Sequence, residues 1–156
     1  MTAEHPVMRD PGDLSAQWLE AILGTPGIAG FDAEPIGTGQ MSQSHRVTLD
    51  YAEGARTGPA SVVVKTAASD PTSRATGVGL GAYEREIRFY RELAPRLGGA
   101  LAKCHAALLD PAGGWFTLVL EDLEPARQGD QIAGCELEHA RLAVGELARI
   151  HAPVFS

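Results

Sequence analysis

Three β-branched residues in a row, Val62-Val63-Val64, close on Lys65, and that run leaves little choice of local structure. Branching at Cβ crowds a helix and favours an extended strand. Side chains alternate along a strand, so Val63 and Lys65 share one face while Val62 and Val64 share the other. One face can then be core, and the second presents an apolar surface with an ammonium beside it. Burying that ammonium without a partner is costly. Lys65 is one of only two lysines in 156 residues, and its place at the strand end requires a carboxylate or water within reach.

A carboxylate is available on the strongest helical pattern downstream. Tyr83, Ile87, Tyr90, Ala94 and Leu97 recur at helical spacing and predict a helix over 82–97 with one apolar stripe. Glu84 lines up with Arg88 and Arg91 on a solvated face. Glu86 follows Tyr83 by three residues and precedes Tyr90 by four, at the edge of the stripe. Glu86 is therefore the better partner for Lys65.

Upstream lies Gly37-Thr38-Gly39-Gln40-Met41-Ser42, a G-x-G-x-x-S turn. Glycines let backbone amides approach phosphate oxygens, yet a glycine pair between strands is also an ordinary tight turn. Strands are expected over 33–36 and 44–51 on either side of it, with His45, Val47 and Leu49 on one face of the second. A strand rather than a helix after the glycines disfavours a dinucleotide-binding βαβ unit, and no Gly-Lys-Ser/Thr triplet exists for a P-loop.

The rest of the chain divides on its punctuation. Asp13-Leu14-Ser15 can cap a short helix carrying Trp18, Leu19 and Ile22, stopped by Gly24 and Pro26. The arm before it, up to Pro11, is too polar and proline-broken to pack by itself. Residues 53–59 predict a hairpin loop and 69–81 a mobile connection. Two more strands, 101–109 and 115–120, flank the turn Asp110-Pro111-Ala112-Gly113-Gly114. In Thr117-Leu118-Val119-Leu120-Glu121-Asp122-Leu123 an apolar strand turns acidic as it leaves the sheet, as a hinge would. A last helix over 132–151 carries Leu137, Ala140, Val144, Leu147 and His151 at burial spacing. The expected fold is α+β: a five-stranded antiparallel sheet with one inserted helix, an N-terminal helix and a C-terminal helix.

Composition narrows the function classes. With 44% hydrophobic and 21% charged residues the chain suits a soluble globular protein. A net charge of −7 argues against non-specific nucleic-acid binding. No apolar run is long enough to span a bilayer and no signal peptide opens the chain, so a cytoplasmic location without membrane contact is expected. Cys104 and Cys135 have neither metal nor redox spacing and are expected to be free core thiols. His45, His105, His139 and His151 show no metal-ligand spacing, and no G-x-S-x-G supports a serine hydrolase.

These motifs together resemble the phosphotransferase family that includes aminoglycoside phosphotransferases, choline kinase-like enzymes and ecdysteroid kinase-like proteins. The resemblance is carried by Ile36-Gly37-Thr38-Gly39 with Ser42 and Arg46-Val47, by Val62-Val63-Val64-Lys65, and by Tyr83-Glu84-Arg85-Glu86-Ile87-Arg88-Phe89-Tyr90. It continues through Cys104-His105-Ala106-Ala107, Leu118-Val119-Leu120-Glu121-Asp122-Leu123 and Leu147-Ala148-Arg149-Ile150-His151-Ala152. It implies a kinase-like N-lobe in which Lys65 holds the α/β-phosphates of ATP and Glu86 orients it. Gly37, Gly39 and Ser42 would cover the phosphates and Val63 would face adenine. The backbone of Glu121 and Leu123 would form the hinge. Ser44 stands where the family places a valine over the base, and Val47 is the expected substitute.

Such a family also needs a catalytic-loop aspartate, a magnesium-binding asparagine and a second metal-binding aspartate. The chain contains no asparagine, and no His-Gly-Asp follows the last helix. The expectation is an N-terminal portion: an arm and helix (1–32), a kinase-like N-lobe (33–122), then hinge, linker and first helix of a larger lobe (123–156). Mg²⁺ ligands are expected only in that larger lobe, as are most contacts to a small-molecule acceptor. By itself the chain would lack kinase activity, bind ATP weakly at most, and self-associate through its last helix. The alternative is a non-catalytic nucleotide-binding or protein-interaction module in which the glycine turn and Lys65 are structural.

Overall fold

Five strands, β1 (Ile28–Ile36), β2 (Ser42–Tyr51), β3 (Ser61–Ala67), β4 (Cys104–Asp110) and β5 (Trp115–Glu121), form one antiparallel sheet in the computed structural model of the chain. Residues 5–37, 39–55, 58–127, 129–130 and 132–155 are described. The spatial order is β1-β2-β3-β5-β4, with β3 in the middle. Among the described residues four α-helices accompany it: α1 (Ala16–Leu23), α2 (Pro71–Gly79), α3 (Ala82–Arg88) and α4 (Leu137–Phe155). The α+β class and the antiparallel five-stranded sheet are those expected.

Because β3 is central, its alternation feeds two cores. Val62, Val64 and Thr66 are buried on one face, where Trp18 and Leu19 of α1 pack with Val47, Leu49 and Val119. Ser15 caps α1 by accepting the Trp18 N–H at 3.2 Å, as its sequence signature implies. On the other face Tyr83 and Ile87 of α3 pack on Ala67, Phe116 and Leu118. The Tyr83 and Phe116 rings stack with centroids 4.5 Å apart.

Several local expectations are corrected. The N-terminal arm, which was not expected to pack by itself, packs on the sheet: Met8 is buried, and its N–H donates to Thr117 Oγ1 at 2.8 Å while that hydroxyl donates back to the Met8 carbonyl at 3.0 Å. A polar strand residue thus satisfies the arm's backbone. The span 69–81 is not a loose connection but holds α2, capped by Asp70, which accepts the Ser73 N–H at 2.7 Å, with Pro71 in the first turn. Asp-Pro is a helix-start signal, and Gly77 and Gly79 obscured it.

The long helix expected over 82–97 is α-helical only to Arg88; a π-helical turn (Phe89–Leu93) and a 3-10 turn (Ala94–Arg96) follow. Pro95 has no N–H to continue an α-helical ladder. In the 53–59 loop, Arg56 and Thr57 lie outside the described residues. The last helix starts at Leu137 instead of 132, after a turn in which Asp130 accepts the Ile132 and Ala133 N–H groups. Leu137, Val144 and Leu147 are 65%, 65% and 51% exposed, so the stripe spaced for burial faces outward. Among the described residues no helix is long and apolar enough to cross a membrane.

Candidate functional site

Lys65 Nζ donates to Glu86 Oε1 at 2.6 Å, across the gap between β3 and α3. Strand pairing with Ser44 on one side and Leu118 on the other fixes the lysine Cα. The buried Tyr83 and Ile87 anchor α3 and bring Glu86 over the strand. The two side chains remain 25% and 31% exposed. Solvent screening therefore leaves the pair a small stabiliser, and both groups stay within reach of a ligand. Glu84 lies on the solvated side, 4.0 Å from Arg88.

The β1–β2 turn sits beside this pair. Gly37 has φ +73°, a region side chains disfavour. A Cβ on Gly39 would lie 2.7 Å from the Ser42 carbonyl oxygen, so only glycine fits there. Thr38, between them, lies outside the described residues. The far end of the turn is tied down at the Met41 carbonyl, which accepts the Tyr83 hydroxyl and, at 3.2 Å, the Ala68 N–H. One helix thus carries both the carboxylate facing Lys65 and the hydroxyl that holds the glycine turn. By helical spacing Tyr83 is only an apolar stripe residue. Its signal was the hydroxyl, which needs a partner once the ring is buried.

Strand register sorts the remaining residues by face. Ser44 lies opposite Lys65, Arg46 opposite Val63, and Val47 opposite Val62. Directly opposed side chains point to the same side of a sheet. Ser42, Ser44 and Arg46 thus share the face of Val63 and Lys65, which is half-buried and open. Val47 does not. It is 0% exposed in the α1-side core with Val62 and Val64, so the expected place over the base is corrected. The side chain opposite Val63 on the open face is that of Arg46.

The expected hinge follows β5. Glu121 donates its N–H to the Lys103 carbonyl at 2.8 Å and accepts the Lys103 N–H through Oε2 at 3.0 Å. Leu123 is 56% exposed, and its carbonyl accepts the Ala126 N–H at 2.8 Å. Between them stands Asp122, to which residue spacing gives no role. Its side chain is 6% exposed and accepts Arg46 Nε at 2.7 Å, Arg46 Nη2 at 3.3 Å and Ser61 Oγ at 2.8 Å. A bidentate guanidinium–carboxylate pair of this kind fixes both planes.

The Arg46 hydrogen bond, opposed by burial and assisted by Ser61, holds the Asp122 carboxyl below its ordinary range. A carboxyl whose folded value is depressed stabilises the fold above its unfolded value, and that contribution is lost as pH falls through the folded one. Asp122→Asn is expected to lower the thermal midpoint at about pH 7, with a deficit that shrinks below about pH 3.9, the unfolded aspartate value. Melting curves across that range check it, and a deficit independent of pH would show that the charge contributes nothing.

Other reactive groups are not poised for chemistry. Burial pushes the Cys104 thiol up to about 11 and holds the His105 imidazole below its ordinary value. Cys104 is half-buried and Cys135 exposed, and both are free; Cys135 is thus not the core thiol expected. Among the described residues no group of three His, Cys, Asp or Glu side chains could hold a metal ion. Mg²⁺ thus finds no such cluster among the described residues, and Lys65 and Glu86, both half-buried, are the charged pair nearest the glycine-turn end of β2 and β3.

The model of the ecdysteroid kinase-like family matches residues 37–155, from the glycine turn through the last helix. No curated protein matches the chain.

Proposed function

We propose, from the premise that this chain belongs to the ecdysteroid kinase-like family, that it holds the ATP of a kinase-like phosphotransferase acting on an alcohol group of a small molecule. The observation that carries this reading is the 2.6 Å Lys65–Glu86 contact on the open face it shares with Val63, beside the Gly37–Gly39 turn. A cation held at one point by a carboxylate, with two further N–H donors for phosphate oxygens, positions a polyphosphate. Gly37, Gly39 and Ser42 line the approach, Val63 supplies an apolar floor for the base, and the backbone of Glu121 and Leu123 supplies its edge. ATP provides the transferable phosphoryl group; the chain's residues bind and orient it.

The 156 residues contain no asparagine, so we assign them no magnesium-binding catalytic loop of the aspartate–asparagine type. The expected result is saturable ATP binding by the purified 156-residue chain without phosphoryl transfer to an alcohol. Calorimetric titration and a phosphate-transfer assay read the two parts. Absence of ATP binding at millimolar concentration would remove the nucleotide reading, and turnover would remove the assignment of inactivity. The proposal also carries a cytoplasmic location, and self-association through the outward α4 stripe, whose exposure is its support.

A further inference from the structure

We propose that Arg46 is the plate on which the nucleotide base is laid, with Asp122 holding its plane. This rests on the reading of Lys65 as the phosphate-end cation. The β2–β3 ladder gives the open face two ends. Ser44 and Lys65 oppose one another at the first, and Arg46 and Val63 at the second, two residues further along each strand. That spacing is about 7 Å, which suits phosphates at one end and a base at the other.

Charge gives the same polarity. Around Arg46 stand three carboxylates: Asp122 at 2.7 Å, Glu34 at 3.5 Å and Glu124 at 3.7 Å. One cation among three anions repels a polyphosphate, so the phosphates belong at Lys65 and the neutral base at Arg46. A planar, weakly hydrated guanidinium stacks on aromatic faces, which an ammonium does not reproduce. Asp122 occupies two of its donors from a nearly buried position, and Ser61 fixes that carboxylate in turn. The guanidinium is thus oriented before any ligand arrives, and less freedom is lost when a base stacks on it.

The test compares ATP with inorganic tripolyphosphate, which has the phosphates and no base, on the full chain and its Arg46→Ala and Arg46→Lys variants. Arg46→Ala is expected to weaken ATP binding by about 3- to 30-fold and to leave tripolyphosphate binding within about twofold. Arg46→Lys, which keeps the charge without the planar fork, is expected not to restore ATP affinity. Equal losses for the two ligands, full rescue by lysine, or unchanged ATP binding in Arg46→Ala would each overturn the proposal. Tripolyphosphate binding that depends on Lys65, with ATP bound no more tightly, would overturn the plate and leave the phosphate site standing. Failure of the parent chain to bind either ligand would overturn both.

Discussion

Lys65→Ala is expected to weaken ATP binding by about 10- to 100-fold, because hydrogen bonds to charged groups contribute about 1.5–3 kcal/mol each. The same substitution is expected to leave the fold almost untouched. Its partner Glu86 is 31% exposed and recovers hydration once the ammonium is gone, and screened pairs of this kind contribute about 0–1 kcal/mol. The combination separates function from structure. A structural lysine would lower the melting temperature and leave ligand affinity alone. Glu86→Gln is expected to produce the smaller loss of the two, since Lys65 keeps its charge and loses only its orientation. Titration calorimetry with melting curves on the same samples reads both quantities. An affinity unchanged in Lys65→Ala would end the phosphate-site reading.

Phe116→Ala is expected to destabilise the protein by about 3–5 kcal/mol, the range for emptying a buried aromatic position. Phe116 is 0% exposed and is stacked on Tyr83, so the cavity opens where α3 meets the sheet. For a domain of this size the melting temperature should fall by about 6–20 °C. The damage should also reach the site. Tyr83 holds the glycine turn through the Met41 carbonyl, and α3 carries Glu86. Phe116→Leu, which refills most of the volume, is expected to recover much of the loss. Urea unfolding of the three proteins checks the order, and a loss below about 1 kcal/mol for alanine would mean that α3 is not anchored through this ring.

Both predictions act on elements that the sequence reveals to different degrees. β3 and the Lys65–Glu86 pairing were legible because two periods are enough to assign them: alternation along a strand and the turn of a helix. Helix α2 was less so, since Gly77 and Gly79 outweighed the Asp70-Pro71 start that in fact caps it. The apolar stripe runs on to Leu97, past the end of α3 at Arg88, because side-chain spacing does not register the missing N–H of Pro95. Asp122 is not legible in the sequence, because an acidic strand end looks solvated until a cation from two strands away reaches it.

The chain by itself determined a half-open strand carrying a cation, a glycine turn before it and a carboxylate on a helix after it. Those follow from local sterics and periodicity, which act over a few residues. Only the tertiary structure decided which side chains share a face. Register is set by two strands pairing at a distance, and a one-residue change in it exchanges the faces. That register placed Val47 in the core instead of the expected position over a base, put Arg46 opposite Val63, and brought Asp122 within 2.7 Å of Arg46.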